Sequence, residues 1–365
     1  MDIRTRVLSV LNHQKPDRVP WLGDLDYWIT GKLNLQQLPE KYQGKGIFRL
    51  HRDLGVGFYL QGFFPFTTQY EGVEITVETP VNRRITQVKT PAGDLESVEV
   101  YLPESACLAF TERFVKSWRD LAPLRYLFEH MYYEPDYRVA QERYELVGDQ
   151  GVVLCYTPKS PLMELVALQA GISAVTFALA DAPEEFEATL AVLRKKADEG
   201  AAITLASPAE CIMIPENLSS EVVGKRLYNR YMRDYEECWN RKIREAGKYS
   251  FIHMDGTLNG LLDEVATAGF CVMEALTPAP AGDLPLEEIG RRVGEQAVVW
   301  GGLPGIYFTD LVSDEEFDRF VIHVLEIMRG EPRYVLGVAD QVPPGSRWER
   351  IARVAELVEK YGVME

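Results

Sequence analysis

From residue 150 onward, short apolar runs alternate with longer amphipathic stretches, and this alternation constrains the fold of the chain. An apolar run of roughly four to eight residues predicts a buried strand, and the amphipathic stretch after it predicts a helix. Repeated strand–helix units build a parallel sheet with helices packed on it. Eight candidate strands lie near Val19–Asp24, Gly55–Gln61, Val152–Thr157, Cys211–Pro215, Ser250–His253, Val272–Leu276, Ala297–Trp300 and Tyr334–Val338.

The segments between these strands carry helix signals, and one early segment differs from the rest. Residues 67–101 contain short runs separated by Pro and Gly turns, which predict antiparallel strands. We therefore expect a single domain over residues 1–365, with an antiparallel insertion at about 67–101 and extra helices. The clearest helix signals lie at Pro183–Gly200, Ser219–Gly247, Asp314–Met328 and Arg347–Tyr361.

The composition excludes several classes of partner. The formal net charge is −16, which argues against nucleic acid, and 46% of the residues are hydrophobic, which is enough for a sizeable core. The five cysteines form no CxxC pair, and the N-terminal segment has no long apolar stretch. Both observations favour a cytoplasmic protein with reduced thiols. No run approaches the length of a transmembrane helix, so no membrane partner is expected.

The segment from His253 to Gly256 closes the fifth apolar run. Side chains alternate along a strand, so His253 and Asp255 are expected to point to the same side. An imidazole with a nearby carboxylate can bind a divalent metal or transfer protons. The alternative is a histidine hydrogen-bonded in a turn, with Asp255 capping the next helix.

Further carboxylates stand at the ends of other predicted strands. Glu274 lies near the end of the sixth strand, Asp340 interrupts the eighth, and Glu216 follows the fourth. The expected catalytic residues are His253, Asp255 and Glu216, with Glu216 as a general base or a metal ligand. A structural ion pair is the alternative for Glu274, and a helix-capping turn is the alternative for Glu216. The expected metal ligands are His253, Asp255, Glu274 and Asp340.

Acidic and aromatic residues follow the first predicted strand, where they can form one wall of a substrate pocket. Aromatic rings there can stack on a flat substrate, and an amide such as that of Asn217 can donate to a substrate oxygen. An ordinary exposed loop is the alternative. The expected substrate-binding residues are Asp24, Asp26, Tyr27, Trp28, Asn217, Tyr156 and Tyr307.

Five segments share residues and spacing with a known family: RTRVLSVLNHQKPDRVPW, PENLSS, HMDGTLNGLLDEVATAGF, VVWGGLPG and GVADQVPPGSRWERI. Through them the chain resembles the uroporphyrinogen decarboxylase superfamily over nearly its whole length, most specifically after residue 210. The resemblance implies an α/β fold, a (β/α)8 TIM barrel, with the site at the C-terminal mouth of the barrel.

The superfamily contains two chemistries. True uroporphyrinogen decarboxylases carry an arginine-rich segment after the first strand, whereas this chain has Asp24 and Asp26 in WLGDLDYWITGK. The zinc-dependent methyltransferases typically carry His-x-Cys after the fifth strand and a further Cys after the eighth. Here His253 matches the first position, and Asp255 and Asp340 stand at the cysteine positions. The resemblance therefore implies an oxygen-rich site for zinc or another divalent metal.

We therefore expect a metal-dependent methyltransferase that moves a methyl group between a small methylated substrate and an acceptor. The substrate is expected to be a small molecule such as a methyl ether. The acceptor or donor partner is expected to be a corrinoid protein. One alternative is decarboxylation of the uroporphyrinogen decarboxylase type in porphyrin biosynthesis. The other is a non-catalytic barrel that binds a tetrapyrrole or a corrinoid.

Overall fold

A computed structural model describes residues 1–59, 62–103 and 105–364 of the chain. The chain divides into two compact units. The larger unit consists of Met1–Phe63, Arg138–Tyr156 and Pro208–Glu365, and the smaller unit consists of Phe64–Tyr137 and Thr157–Ser207. The single-domain boundary at 1–365 is not decided by this division and stays a prediction.

Strands and α-helices are numbered in chain order within the described residues. The strands are β1 Phe66–Tyr70, β2 Glu74–Glu78, β3 Arg83–Thr90, β4 Gly93–Leu102, β5 Cys107–Glu112, β6 Met131–Pro135, β7 Leu154–Tyr156, β8 Cys211–Leu218, β9 Tyr249–Met254, β10 Val272–Leu276, β11 Val298–Pro304 and β12 Tyr334–Ala339. The helices are α1 Ile3–Leu11, α2 Asp26–Asn34, α3 Ile47–Leu54, α4 Leu121–Glu129, α5 Arg138–Val147, α6 Pro161–Met163, α7 Ile172–Asp181, α8 Pro183–Ala206, α9 Lys225–Tyr231, α10 Arg233–Glu245, α11 Leu262–Ala266, α12 Leu286–Arg292, α13 Asp314–Met328 and α14 Trp348–Tyr361.

The larger unit is built on a parallel sheet of six strands, β7 to β12, which lie side by side in sequence order. Sequential parallel strands require a crossover between each pair, and each of the five crossovers contains at least one α-helix. The expected α/β fold is thus confirmed for the six later predicted strands. Their carboxyl ends meet at one edge of the sheet.

The first two predicted strands are not regular strands. In Val19–Asp24, only an isolated parallel bridge joins Trp21 to Leu336 of β12. In Gly55–Gln61, Phe58 bridges Gly151, and the Gly57 amide donates to the Trp21 carbonyl. Pro20 has no N–H for a ladder, and Gly55 has a left-handed φ of 68°, so neither segment extends its pairing. Gln61 lies outside the described residues.

Alternate strand residues form the core of the larger unit. Met213 of β8, Phe251 of β9, Val272 of β10 and Trp300 of β11 belong to one buried cluster. Because strand side chains alternate, the residue two positions after each of these faces the same side. Because of this alternation, the polar residues at the strand ends lie directly beyond the apolar core.

The predicted helix over Ser219–Gly247 is wrong in its extent. The backbone forms α9 and α10 there, and helix begins only at Lys225. The Ser220 amide instead donates to the Thr257 carbonyl at 2.7 Å, and the Ser219 and Thr257 hydroxyls lie 3.3 Å apart. These contacts fix both serines outside a helix. The helix of Asp314–Met328 occurs as expected, with a capping box at Ser313.

The smaller unit contains two antiparallel sheets. Strands β2 to β5 form a four-stranded meander, and β1 pairs with β6. This meander lies in the same part of the chain as the expected antiparallel insertion. Among all described residues, no helix combines the length and the hydropathy needed to cross a bilayer.

Candidate metal site

His253 stands near the carboxyl end of β9, two residues after the core residue Phe251. In the parallel register its neighbour on β10 is Glu274, two residues after the core residue Val272. Both side chains therefore extend from the end of the apolar core, and both are buried. His253 Nδ1 lies 2.5 Å from Glu274 Oε2. Since a carboxylate accepts, Nδ1 donates, and Nε2 is left to face other groups.

A tyrosine that sequence reasoning did not single out completes this contact. The Tyr59 hydroxyl donates to Glu274 Oε1 at 2.9 Å. Both oxygens of Glu274 are therefore engaged, one by His253 and one by Tyr59. The expected direct ligation of a metal by Glu274 does not fit these contacts, because the carboxylate lies behind the imidazole. Its position is that of a carboxylate that orients a ligating histidine.

Two aspartates lie on the other side of the imidazole. His253 Nε2 is 3.3 Å from Asp340 Oδ1 and 4.0 Å from Asp255 Oδ2. Asp255 directly follows β9 and Asp340 directly follows β12. One donor atom from each of the three residues lies within 4.8 Å of the others. Three of the four expected metal ligands are thus brought together.

The charges in this cluster change the proton affinity of its members. Burial alone would lower the pKa of His253, but Glu274, Asp340 and Asp255 outweigh it and raise that pKa to about 10. Burial raises the pKa of Asp340 to about 6, assisted by repulsion from Glu274 and Asp255 and opposed by His253. The cluster therefore holds excess negative charge and attracts a proton or another cation.

The donor set fits a divalent metal. Asp340 Oδ1 is buried and has no hydrogen-bond partner among the described residues, although it lies close to His253 Nε2. A buried carboxylate oxygen without a donor is costly unless a cation meets it. One imidazole nitrogen and two carboxylates are donors that zinc accepts, and the oxygen content also suits manganese, iron or cobalt.

Asp24 lies near the same cluster. Its side chain is 2% exposed, and its Oδ1 accepts from the Asp26 amide at 2.8 Å. Burial raises the pKa of Asp24 well above its usual range, and repulsion from Asp26, Asp340 and Glu274 adds to this. Burial of its carboxylate also raises the pKa of Asp26, whereas the positive charge of Arg143 lowers it. Of the first-loop residues, Asp24 is therefore the one whose side chain approaches the cluster.

The two aromatic residues of the first loop occupy different environments. Trp28 is fully buried, its indole nitrogen donates to the Ser346 carbonyl at 2.9 Å, and its ring packs edge-on against Trp348. This packing does not fit the expected role of Trp28 in lining a substrate pocket. Tyr27 is half-buried at the start of α2.

The two other expected tyrosines lie in different places. Tyr156 is half-buried at the end of β7, and burial together with Asp24 and Glu274 raises its pKa. Tyr156 is thus near the cluster. Tyr307 stacks on Phe320 of α13 and lines a cavity of about 850 Å³ along that helix. No residue of the His253 cluster lines that cavity.

Glu216 and Asn217 occupy an irregular end of β8, where the register with β9 shifts between Ile214 and Leu218. Asn217 is exposed with a left-handed φ of 52°. Glu216 is fully buried and repels Glu236 of α10, whose pKa is raised by burial first and by Glu216 second. Glu236 is itself fully buried, and its carboxylate accepts a hydrogen bond from the Tyr228 hydroxyl at 2.6 Å. Glu216 therefore belongs to a second acidic cluster.

Comparison with known proteins gives a family and a fold. The family model described as uroporphyrinogen decarboxylase (URO-D) matches residues 158–361, which is more than half of the chain. No curated protein sequence gives a significant match.

Two solved structures illustrate the fold comparison. A methyltransferase from Methanosarcina mazei superposes with a TM-score of 0.64 at 13% sequence identity, over 99% of each chain. A mandelate racemase/muconate lactonizing enzyme from Sulfitobacter sp. reaches a TM-score of 0.31 at 13% identity, over 80% of this chain and 77% of the other. The first likeness concerns the fold alone, and the second is too weak to carry an argument. On the family match, the chain belongs to the uroporphyrinogen decarboxylase family.

Proposed function

We propose that this protein is a metal-dependent methyltransferase of the uroporphyrinogen decarboxylase family. It would move a methyl group between a small methylated substrate, such as a methyl ether, and a corrinoid protein or another acceptor. The observation that carries the proposal is the convergence of His253, Asp255 and Asp340, whose donor atoms lie within 4.8 Å of one another. The fold likeness to a methyltransferase is consistent with it.

Each residue of the cluster has a distinct part in this proposal. His253 Nε2 and one oxygen each of Asp255 and Asp340 would hold a divalent ion, with zinc as the first choice. Glu274 accepts from His253 Nδ1 and so fixes the ring orientation, and Tyr59 holds Glu274 in turn. The ion would supply Lewis acidity to the heteroatom that carries or receives the methyl group.

The charge at the site argues against the decarboxylase alternative. Uroporphyrinogen carries several carboxylates, which need cationic partners. Here Asp24 is buried beside Asp340 and Glu274, and all three are acids. An anionic substrate group placed among them would be repelled. We therefore favour methyl transfer and expect no conversion of uroporphyrinogen to coproporphyrinogen.

We also propose an architecture and a cellular location for the protein. Trp21 bridges Leu336 of β12, the Gly57 amide donates to the Trp21 carbonyl, and Phe63 bridges Cys155 of β7. We therefore propose that the parallel strands close into a (β/α)8 barrel. We propose that residues 1–365 act as one domain. None of the five cysteines, all of which lie in the described part of the chain, forms a disulfide. This supports our proposal of a cytoplasmic enzyme, and we propose a corrinoid protein as its partner.

Metal analysis tests the proposal directly. Protein purified without chelator and resupplied with zinc, manganese or cobalt should bind about one equivalent by elemental analysis. The double variant Asp255→Asn/Asp340→Asn should lose that metal, because two of its three ligands no longer carry charge. The double variant Asp149→Asn/Asp310→Asn is the matched control, since it removes two charges from exposed positions. Absence of bound metal in the unmodified protein would overturn the proposal.

A further inference from the structure

Asp24 presents a buried oxygen that the described protein does not satisfy. The Val342 amide donates to the Asp24 carbonyl at 3.0 Å, which places Asp24 beside the loop that follows Asp340. Its Oδ1 accepts from the Asp26 amide. Its Oδ2 is buried and has no hydrogen-bond partner among the described residues. Because burial of an unpartnered carboxylate oxygen is unfavourable, this atom indicates a missing partner.

The charges that act most strongly on Asp24 are all negative. They belong to Asp26, Asp340 and Glu274. Arg143 is the cation that acts on Asp26, and its guanidinium lies over the rings of Phe63 and Phe58 at 4.6 and 5.7 Å from their centroids. Asp24 therefore faces repulsion that its strongest neighbours do not offset.

A divalent metal at the proposed site would not offset the negative charge of Asp24. The inference rests on the proposed metal site, in which the ion would meet Asp255 and Asp340 and so offset two carboxylates. Glu274 receives hydrogen bonds from His253 and Tyr59. Within the described part of the chain, Asp24 Oδ2 then has no hydrogen-bond donor, and the charges that act most strongly on it are negative. The partner that fits it is a further cation.

Aromatic side chains accompany this carboxylate. Burial raises the pKa of both Tyr59 and Tyr156, and repulsion from Glu274 and Asp24 adds to this shift. Aromatic faces attract cations, and methylated ammonium groups are bound in proteins by combinations of aromatic rings and a carboxylate. A methyl ether would therefore gain from this environment only if it also carried a cationic group, and an anion would be repelled.

We propose that the small substrate of this site carries a positively charged group, in the simplest case an N-methylated ammonium, and that Asp24 Oδ2 binds it. Asp24 is thus a specificity-determining residue. It selects cationic substrates over neutral ones of the same shape.

The test compares a cation with a neutral molecule of the same shape. Choline and 3,3-dimethylbutan-1-ol differ in the charge at one central atom and share the hydroxyl. We expect zinc-loaded protein to bind choline at least about tenfold more tightly in a saturation-transfer NMR titration. The same samples are analysed for zinc, so loss of the metal site and loss of cation preference are read separately.

A variant assigns the preference to Asp24. Asp24→Asn keeps the shape and removes the charge, so it should reduce choline affinity about tenfold while the alcohol affinity and the zinc content stay unchanged. Asp310→Asn removes one charge from an exposed position and should leave the preference intact. If the unmodified protein binds zinc but binds both probes equally, or binds neither, the inference is overturned and the proposed metal site stands. If choline is preferred and Asp24→Asn leaves that preference unchanged, the assignment to Asp24 is wrong.

Discussion

Two buried acidic clusters in the larger unit share several parts and differ in what they can bind. In one, Tyr59 donates to Glu274, which contacts His253. In the other, Tyr228 donates to Glu236, which lies near Glu216. Each contains a tyrosine hydroxyl bonded to a fully buried carboxylate. The first cluster alone contains a histidine.

The two clusters differ in the donor atoms that each can offer to a metal ion. Beyond Glu274, the imidazole presents Nε2 to Asp255 and Asp340, so three donors converge on one point. The second cluster has two carboxylates that repel each other. Burial first and repulsion from Glu216 second raise the pKa of Glu236, which favours its protonated form. A buried pair of acids is thus satisfied by one proton, whereas a metal site needs convergent donors.

The largest expected effect is a loss of metal affinity when the cluster around His253 is changed. His253→Ala removes the only nitrogen donor of the three-residue group, so zinc affinity should fall by at least about 100-fold, and methyl transfer should be lost. His323→Ala is the control, because His323 is an exposed histidine on α13. Competition titration with a chromogenic chelator measures both. Equal losses in the two variants would contradict the assigned role of His253.

A smaller effect concerns how stability depends on pH. The pKa of Glu236 is near 4.5 when unfolded and well above that when folded. Above pH 4.5 the unfolded chain releases a proton that the folded protein keeps, so this group contributes stability at low pH that is lost as pH rises toward the folded pKa. Glu236→Gln has no such proton. Relative to the wild type, it should gain about 1–3 kcal/mol of unfolding free energy between pH 5 and pH 8.

Urea unfolding followed by circular dichroism at both pH values checks this expectation. Glu237→Gln is the control, because Glu237 neighbours Glu236 but is exposed. A gain of the same size in both variants would mean that net charge, and not the buried pair, sets the pH dependence. Zinc affinity should stay unchanged in both.

The smallest effect comes from the two tyrosines. Tyr59→Phe and Tyr228→Phe each remove one hydroxyl from a buried carboxylate and should each lower the unfolding free energy by about 1 kcal/mol. Only Tyr59→Phe should also weaken zinc binding, and only a few-fold, because Tyr59 acts through Glu274. The two variants are controls for each other. A change in zinc affinity in Tyr228→Phe would show that the clusters are coupled.

The fold could be predicted from the sequence where short apolar runs alternate regularly with amphipathic stretches. The six later strands follow short, mostly apolar runs, and Val272–Leu276 has the predicted bounds. The two early strands were misjudged because backbone chemistry limits them: Pro20 lacks a donor and Gly55 is left-handed. The over-long helix from Ser219 has another cause, since its first residues bind a distant loop at Thr257.

The site could be predicted from the sequence for those residues that stand at the carboxyl end of a strand. His253, Asp255 and Asp340 follow strands of one sheet, so their approach follows from topology. Whether Glu274 contacts a metal or the imidazole depends on a few ångströms, which residue spacing does not resolve. Tyr59 stands in an apolar run where an aromatic residue signals only packing. Glu236 lies in a charged helix, and its partner Tyr228 is in a different helix.

Tyr59 gives the site a mechanical property. Its ring packs against the central core residue Trp300, with 4.4 Å between centroids, and its hydroxyl holds Glu274, which holds the imidazole. The imidazole of His253 is therefore joined through two hydrogen bonds to a tyrosine whose ring packs in the buried core. Protein cores resist compression and transmit small displacements. The position of the imidazole consequently depends on the packing of the core. We expect warming that loosens the packing around Trp300 to weaken metal binding at the proposed site as well.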